Sequence, residues 1–286
     1  MPDRSLPPSL LAVDAGNSRI KFGLFEPSAP AAGVPLWPEC VEFLAIPIDD
    51  PIPRIQLMRW IDQGISGVVI SGSNPPVVQK LIDQFDPGPI PLMAVRNCSA
   101  IQVVADVDFP EKVGLDRLLN AVAVNAIRPP DRGAIVIDSG TATTVDYVSA
   151  RGHFCGGAIL PGMELSAKAL HQYTALLPLL PVQELGGADP VAPGRNTRDA
   201  IRNGLFWGQV GAIRELIRQV CLQRGHRVPD FETGTDHPDA PWLVLTGGGG
   251  PVLTSQFPAA MRLASLGMHG LVLTAWKCLE SERSGS

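Results

Sequence analysis

Four short apolar runs, at 10–13, 67–70, 134–137 and 242–245, each lead into a turn of small residues. Such runs, rich in Val, Ile and Leu and closed by Gly-containing turns, predict buried strands. Residues 76–85, 114–127, 164–177 and 197–220 read as helices between and after them. Strands interleaved with helices predict an α/β protein rather than an all-β one.

The pattern repeats. "LLAVDAGNSRIKFGLFE" (10–26) runs a strand into Asp-x-Gly and out into a second strand, and "AIVIDSGTATTVDYV" (134–148) does the same. Asp14 aligns with Asp138 and Gly16 with Gly140. A second pair follows in the same order, "GVVISGSNPP" (67–76) and "WLVLTGGGGP" (242–251), each a strand, a Gly turn and a helix start. The chain therefore reads as two copies of one design, 9–128 and 129–280. "RPPDRG" marks the boundary, because Pro-Pro stops the preceding helix. A ligand is expected in the cleft between the halves.

One Asp-x-Gly turn is ordinary hairpin chemistry. Two in matching order point to a phosphate clamp. Gly16 and Gly140 admit a polyanion close to the backbone, and successive N–H groups in such turns form anion nests. Asn17, Ser18, Thr141, Thr143 and Thr144 offer side-chain donors, and Lys21 offers positive charge. Asp14 and Asp138 repel phosphate unless a cation such as Mg²⁺ sits between them. Asp138 ends a strongly apolar strand and needs a cation or several donors, and hydrogen bonds from the Gly140–Thr141 turn would also serve. Asp146 reads as a solvent-facing residue. "TGGGG" fits neither a Walker nor a dinucleotide spacing and suits a flat purine.

Composition narrows the class. Hydrophobic residues are 45% and charged residues 18% of 286, as in a globular protein. A net charge of −5 gives no basic field for general nucleic-acid binding. Gly and Pro gather at 26–35, 181–196 and 228–241, which read as loops. The N-terminus has no signal-peptide pattern and no stretch suits a membrane span. Five scattered cysteines without C-x-x-C predict reduced thiols and a cytoplasmic setting. The five histidines lack metal spacing. Gly204, Gly208 and Gly211 in one predicted helix indicate close helix approach, in the core or across a dimer.

The duplicated hairpins resemble the actin, hexokinase, acetate-kinase and Hsp70 superfamily. Within it, "DAGNSRIKFG", "GLDR", "IDSGTATTVD", "GGAILPG", "NT" before a helix and "LTGGGG" resemble type III pantothenate kinase. The resemblance implies duplicated ribonuclease-H-like, actin-like ATPase domains and phosphorylation of pantothenate, the first step of coenzyme A synthesis. It implies that Asp14, Ala15, Gly16, Asn17, Ser18, Arg19, Ile20, Lys21 and Thr141 bind ATP. Gly114, Leu115, Asp116 and Arg117 would contact pantothenate, with Asp116 as catalytic base. Thr197 would contact pantothenate in an active site shared across a homodimer. Asp138 would hold a monovalent cation, K⁺ or NH₄⁺, and Asp14 would direct Mg²⁺, directly or through water.

Read in isolation, Asp116 is also an ordinary first-turn helix acid, and Arg117 an ordinary salt-bridge partner. Many members of the family carry Tyr and Asn where this chain has Val107 and Phe109. That departure keeps open a kinase of another small hydroxylated acid. A non-catalytic regulatory ATP-binding protein is the other alternative.

Overall fold

A computed structural model describes residues 6–28, 36–84 and 88–284. The Pro- and Gly-rich stretch at 26–35 falls mostly outside them. The chain forms two compact units, one of Met1–Ile127 with Leu266–Ser286, the other Arg128–Ser265.

In the first unit β1 (Leu10–Ala15), β2 (Arg19–Pro27) and β3 (Pro38–Pro47) form an antiparallel meander. Helix α1 (Arg54–Asp62) leads to β4 (Gly67–Ser71), then α2 (Pro75–Gln84) leads to β5 (Leu92–Ala94). The sheet order is β3-β2-β1-β4-β5, with β4 parallel to β1. Leu11, Val13, Ile20, Phe22, Val68 and Ile70 alternate onto one face and pack with Leu57 and Trp60 of α1 and Val78 and Leu81 of α2. Asp14 and Lys21, a cross-strand pair, lie on the other face.

The second unit repeats this plan. β6 (Ala134–Ser139), β7 (Ala142–Val148) and β8 (Phe154–Pro161) are the meander. After α4 (Met163–Gln172), the short α5 (Val182–Leu185) and α6 (Thr197–Arg224) comes β9 (Trp242–Thr246), then α7 (Gly250–Leu253) and β10 (Met261–Arg262). The order β8-β7-β6-β9-β10 copies the first sheet strand for strand. Ile135, Ile137, Val145, Tyr147, Leu243 and Leu245 face Phe206, Ile213 and Ile217 of α6.

The second half as read from the sequence runs to residue 280, but α8 (Leu266–Ser284) packs in the first unit, against α3 (Leu115–Ile127), β1, β3 and β4. Its Leu266, Met268, Leu271, Val272, Ala275 and Trp276 are buried. The Trp276 indole donates to Pro8 O at 2.9 Å. The hydrophobic pattern predicts α2, α3, α4 and α6. It does not predict α8, whose apolar residues surround the axis rather than marking one face. Helix α4 ends at Gln172, short of the expected 177. There Thr174 Oγ1 donates to Leu170 O at 2.6 Å and His171 Nδ1 meets Leu177 O at 2.9 Å, so side chains take over the last turn.

Among the described residues no helix is long and apolar enough to cross a membrane.

Candidate active site

The first hairpin turn is built from glycine and short polar residues. Gly16 N–H donates to Arg19 O at 3.0 Å and closes it. The turn rests on the one after β4. Asn74 N–H donates to Ala15 O at 3.2 Å, and Asn17 Nδ2 donates to Ser73 Oγ at 3.4 Å. A Cβ at Gly72 would stand 2.2 Å from Ala15 O, so only glycine lets the two turns meet. Ser73 and Asn74 escape the sequence reading, which saw this stretch as an echo and not as the support of the first turn.

Asp14 is the penultimate residue of β1 and is half-buried, with Lys21 directly opposite on β2. The Lys21 ammonium donates to Asp14 Oδ2 at 2.9 Å. Ala15 and Ile20 are buried, so their side chains belong to the core and only their backbone can face a ligand. Asn17 and Arg19 are exposed.

Asp116 stands in the first turn of α3. Arg117 N–H donates to its Oδ1 at 2.9 Å. A Cβ at Gly114 would come within 2.6 Å of that same oxygen, which explains the glycine of "GLDR". Burial pushes the Asp116 carboxyl above its ordinary range, and the negative charge of Asp14 adds to the rise. The Arg117 N–H bond and the charges of Arg117 and Lys21 pull the other way. The first unit thus places Asp14, Lys21, Asp116 and Arg117 in one electrostatic neighbourhood. Upstream, Phe109 is 58% exposed, and the Lys112 ammonium lies 4.5 Å from its ring centroid.

The second hairpin is supported by the same device. Gly247, at φ +85°, packs on the residue after the aspartate; a Cβ there would stand 2.4 Å from Ser139 O and 2.5 Å from Asp138 Oδ1. Gly249 N–H donates to Ser139 O at 2.7 Å. Gly162, which closes "GGAILPG", donates to Thr141 O at 3.0 Å and has room for no side chain beside Gly140 O. Gly140 and Thr141 are exposed at the turn.

Two expected donors are elsewhere. Thr143 is 0% exposed and faces α6, because period-two alternation sends it to the core with Val145 and Tyr147. Thr144 is buried and donates to Asp146 Oδ2 at 2.9 Å. Asp146, expected to face solvent, is 1% exposed.

Asp138 is half-buried, paired across the sheet with Thr144 on one side and Thr246 on the other. The glycines beside its carboxylate leave space that a side chain would fill. Among the described residues no three His, Cys, Asp or Glu converge as a metal group. Thr197 lies far along the chain from these residues, at the first turn of α6, where the Asn196 side chain accepts from Asp199 N–H at 2.9 Å and caps the helix.

The Lmo2764 protein of Listeria monocytogenes aligns in structure with a TM-score of 0.50 at 11% identity, over 95% of this chain and 99% of that one, a likeness of fold alone. That likeness spans both of the duplicated sheets. The type III pantothenate kinase family pattern matches residues 10–219. A type III pantothenate kinase of Sphingopyxis alaskensis is 32% identical over 79% of this chain and 86% of its own length. That of Cereibacter sphaeroides is 32% identical over 92% of this chain and 96% of its own length. The chain belongs to the type III pantothenate kinases, which use ATP to phosphorylate pantothenate on the way to coenzyme A.

Proposed function

We propose that Asp116 is the base that receives the proton of the pantothenate primary hydroxyl. The observation that carries this is its carboxylate, part-buried at the start of α3 in the field of Asp14 and Lys21. A carboxylate cannot ionise an alcohol in the ground state. Phosphoryl transfer is largely dissociative, so the nucleophile needs alignment early and deprotonation late. Asp116 aligns the O–H. The bond from the γ-phosphorus to the ADP oxygen breaks as the new P–O bond forms, and the proton passes to Asp116. Arg117 presents its guanidinium fork to the substrate carboxylate, with Gly114 and Leu115 lining the approach.

The phosphates of ATP take the N–H groups of Ala15–Ser18, the side chains of Asn17 and Ser18, and the Lys21 ammonium. Arg19 flanks the turn, and Ile20 contributes only its main chain. Thr141 meets ATP from the second hairpin. Asp14 would direct a Mg²⁺ ion, directly or through water, and that ion would supply charge neutralisation at the phosphate oxygens. Asp138 holds a monovalent cation, K⁺ or NH₄⁺.

The active form is a homodimer in the cytoplasm. Gly204, Gly208 and Gly211 are exposed on α6, with nothing within 4 Å of a Cβ at any of them. Their smooth face does not serve packing inside the unit. Beside it lies an apolar cavity of about 770 Å³ lined by Leu165, Tyr173, Leu177, Thr197 and Gly204. Tyr173 is 80% and Leu176 92% exposed. A second copy of the same face covers such a surface isologously and brings Thr197 to the partner's pantothenate. Gly208→Arg is expected to convert a dimer to a folded monomer with little turnover, read by sedimentation and circular dichroism. A wild-type monomer, or an active monomeric variant, would remove the shared site.

The overall reading is tested with purified protein, ATP, Mg²⁺, pantothenate and either K⁺, NH₄⁺ or Na⁺. ADP and 4′-phosphopantothenate are expected in equal amounts. The chain should also rescue a strain lacking pantothenate kinase. Turnover that ignores the choice of cation would remove the role given to Asp138, and no rescue would count against the whole reading.

A further inference from the structure

The segment that leads into α3 carries a cation seated on an aromatic ring. Pro110–Lys112 form one 3₁₀ turn, closed by Lys112 N–H to Phe109 O at 3.0 Å and Val113 N–H to Pro110 O at 3.3 Å. Residues three apart eclipse in such a turn, so the side chains of Phe109 and Lys112 meet. The ammonium lies 4.5 Å from the ring centroid, inside the range of a cation–π contact. Three exposed acids stand near it in sequence, Asp106, Asp108 and Glu111. Among the described residues Lys112 pairs with none of them. The ring covers one side of the ammonium and cancels none of its charge, so N–H groups on the other sides stay open to a ligand. Phe109 and Lys112 are both exposed.

The turn runs straight into "GLDR". Val113 joins it to Gly114, whose carbonyl accepts from Arg117 N–H at 3.2 Å and Leu118 N–H at 3.3 Å. At most about 14 Å of chain separates Lys112 from Asp116. Pantothenate has its reacting hydroxyl at one end and its only charge, a carboxylate, at the other. With Asp116 at the hydroxyl, the carboxylate lies some way off, and the three acids of this loop repel an anion that approaches past them.

We propose that Lys112 selects the acid as substrate. Its ammonium meets the pantothenate carboxylate together with Arg117. Phe109 is a positioning residue that keeps the ammonium there instead of on a neighbouring acid. This rests on the reading that Gly114–Arg117 contact pantothenate.

The test compares KM and kcat for pantothenate with those for its neutral N-methylamide, using the full chain with ATP and Mg²⁺. Where the amide is not turned over, its inhibition constant takes the place of KM. Lys112→Gln is expected to raise the pantothenate KM about 10-fold, the low end for a hydrogen bond to a charged group, with kcat and the amide constant unmoved. Lys112→Arg keeps a cation that stacks on rings and should return KM close to wild type. Phe109→Leu releases the ammonium and should raise the pantothenate KM about two- to five-fold, as for an exposed cation–π contact. Phe109→Tyr should not. In the Lys112→Gln background Phe109→Leu should add nothing, since the ring acts through that ammonium. An equal rise for acid and amide, or a fall in kcat alone, would mark a structural role and overturn the proposal. If Arg117→Gln raises the pantothenate KM but Lys112→Gln leaves it at the wild-type value, the proposal is overturned and the substrate site at "GLDR" stands. If neither variant moves it, that site and this proposal fall together.

Discussion

Asp116→Asn is expected to lower turnover by about 10²–10⁴-fold, the range supplied by one general base, with ATP affinity nearly unchanged. Asparagine keeps the size and the oxygen that accepts Arg117 N–H. It cannot take a proton. The same residue should set an acid limb in kcat/KM. The base works only when deprotonated, so activity falls as pH falls through its pKa, and burial with Asp14 moves that pKa upward. The limb should therefore lie above the ordinary carboxylate range. The stability sign is opposite to that of a salt-bridged acid. A folded-state pKa above the unfolded value means that the native state binds the proton more tightly, so this group's contribution falls as pH rises from the unfolded pKa through the folded one. At neutral pH the Asn variant should melt no lower than wild type. A variant with wild-type turnover would take Asp116 out of the reaction, and a sharply lowered melting temperature would point to a structural role.

Gly270→Ala is expected to cost the most stability of any single added methyl group. A Cβ at 270 would stand 1.9 Å from Leu119 O and 2.6 Å from Leu119 C, backbone atoms that cannot rotate away. Helices α3 and α8 must then separate. Overpacking of this kind costs about 1–3 kcal/mol, against a gain of up to about 1 kcal/mol from replacing Gly by Ala in a helix. The loss wins, and at roughly 2–4 °C per kcal/mol melting falls by several degrees. Because Asp116 lies in the first turn of α3, the separation should also lower turnover at saturating substrate. Gly204→Ala is the control. Inside its own unit a Cβ there meets nothing within 4 Å, so any loss it causes belongs to the dimer face and not to helix packing within the unit. Equal melting temperatures for the two variants would contradict the α3–α8 contact.

Several features of the site were legible because they are local. A strand that ends in Asp, turns on Gly and returns as a strand is written in consecutive residues, and the structure has it at both Asp14 and Asp138. Gly114 before Asp116 is of the same kind. The supports were harder to see. Gly72 is silent until its turn is known to touch Ala15, and Gly162 until it is known to lie on Gly140. Thr141, Thr143 and Thr144 look alike as a run of hydroxyls, yet strand alternation sends one to the turn, one to the core and one to Asp146.

The sequence by itself determined the two-copy plan, the α/β class, the aspartates at the strand ends and the family. Those depend on patterns of a few residues, or on motifs repeated in order along the chain. Only the tertiary structure decided that α8 belongs with the first unit, that Asp146 is buried, and that Lys21 and Thr144 occupy matching places. Each of these is a pairing between segments far apart or across a sheet register. Burial of apolar surface and the exclusion of unpaired polar groups choose such pairings for the molecule as a whole, and no short stretch of sequence records the choice.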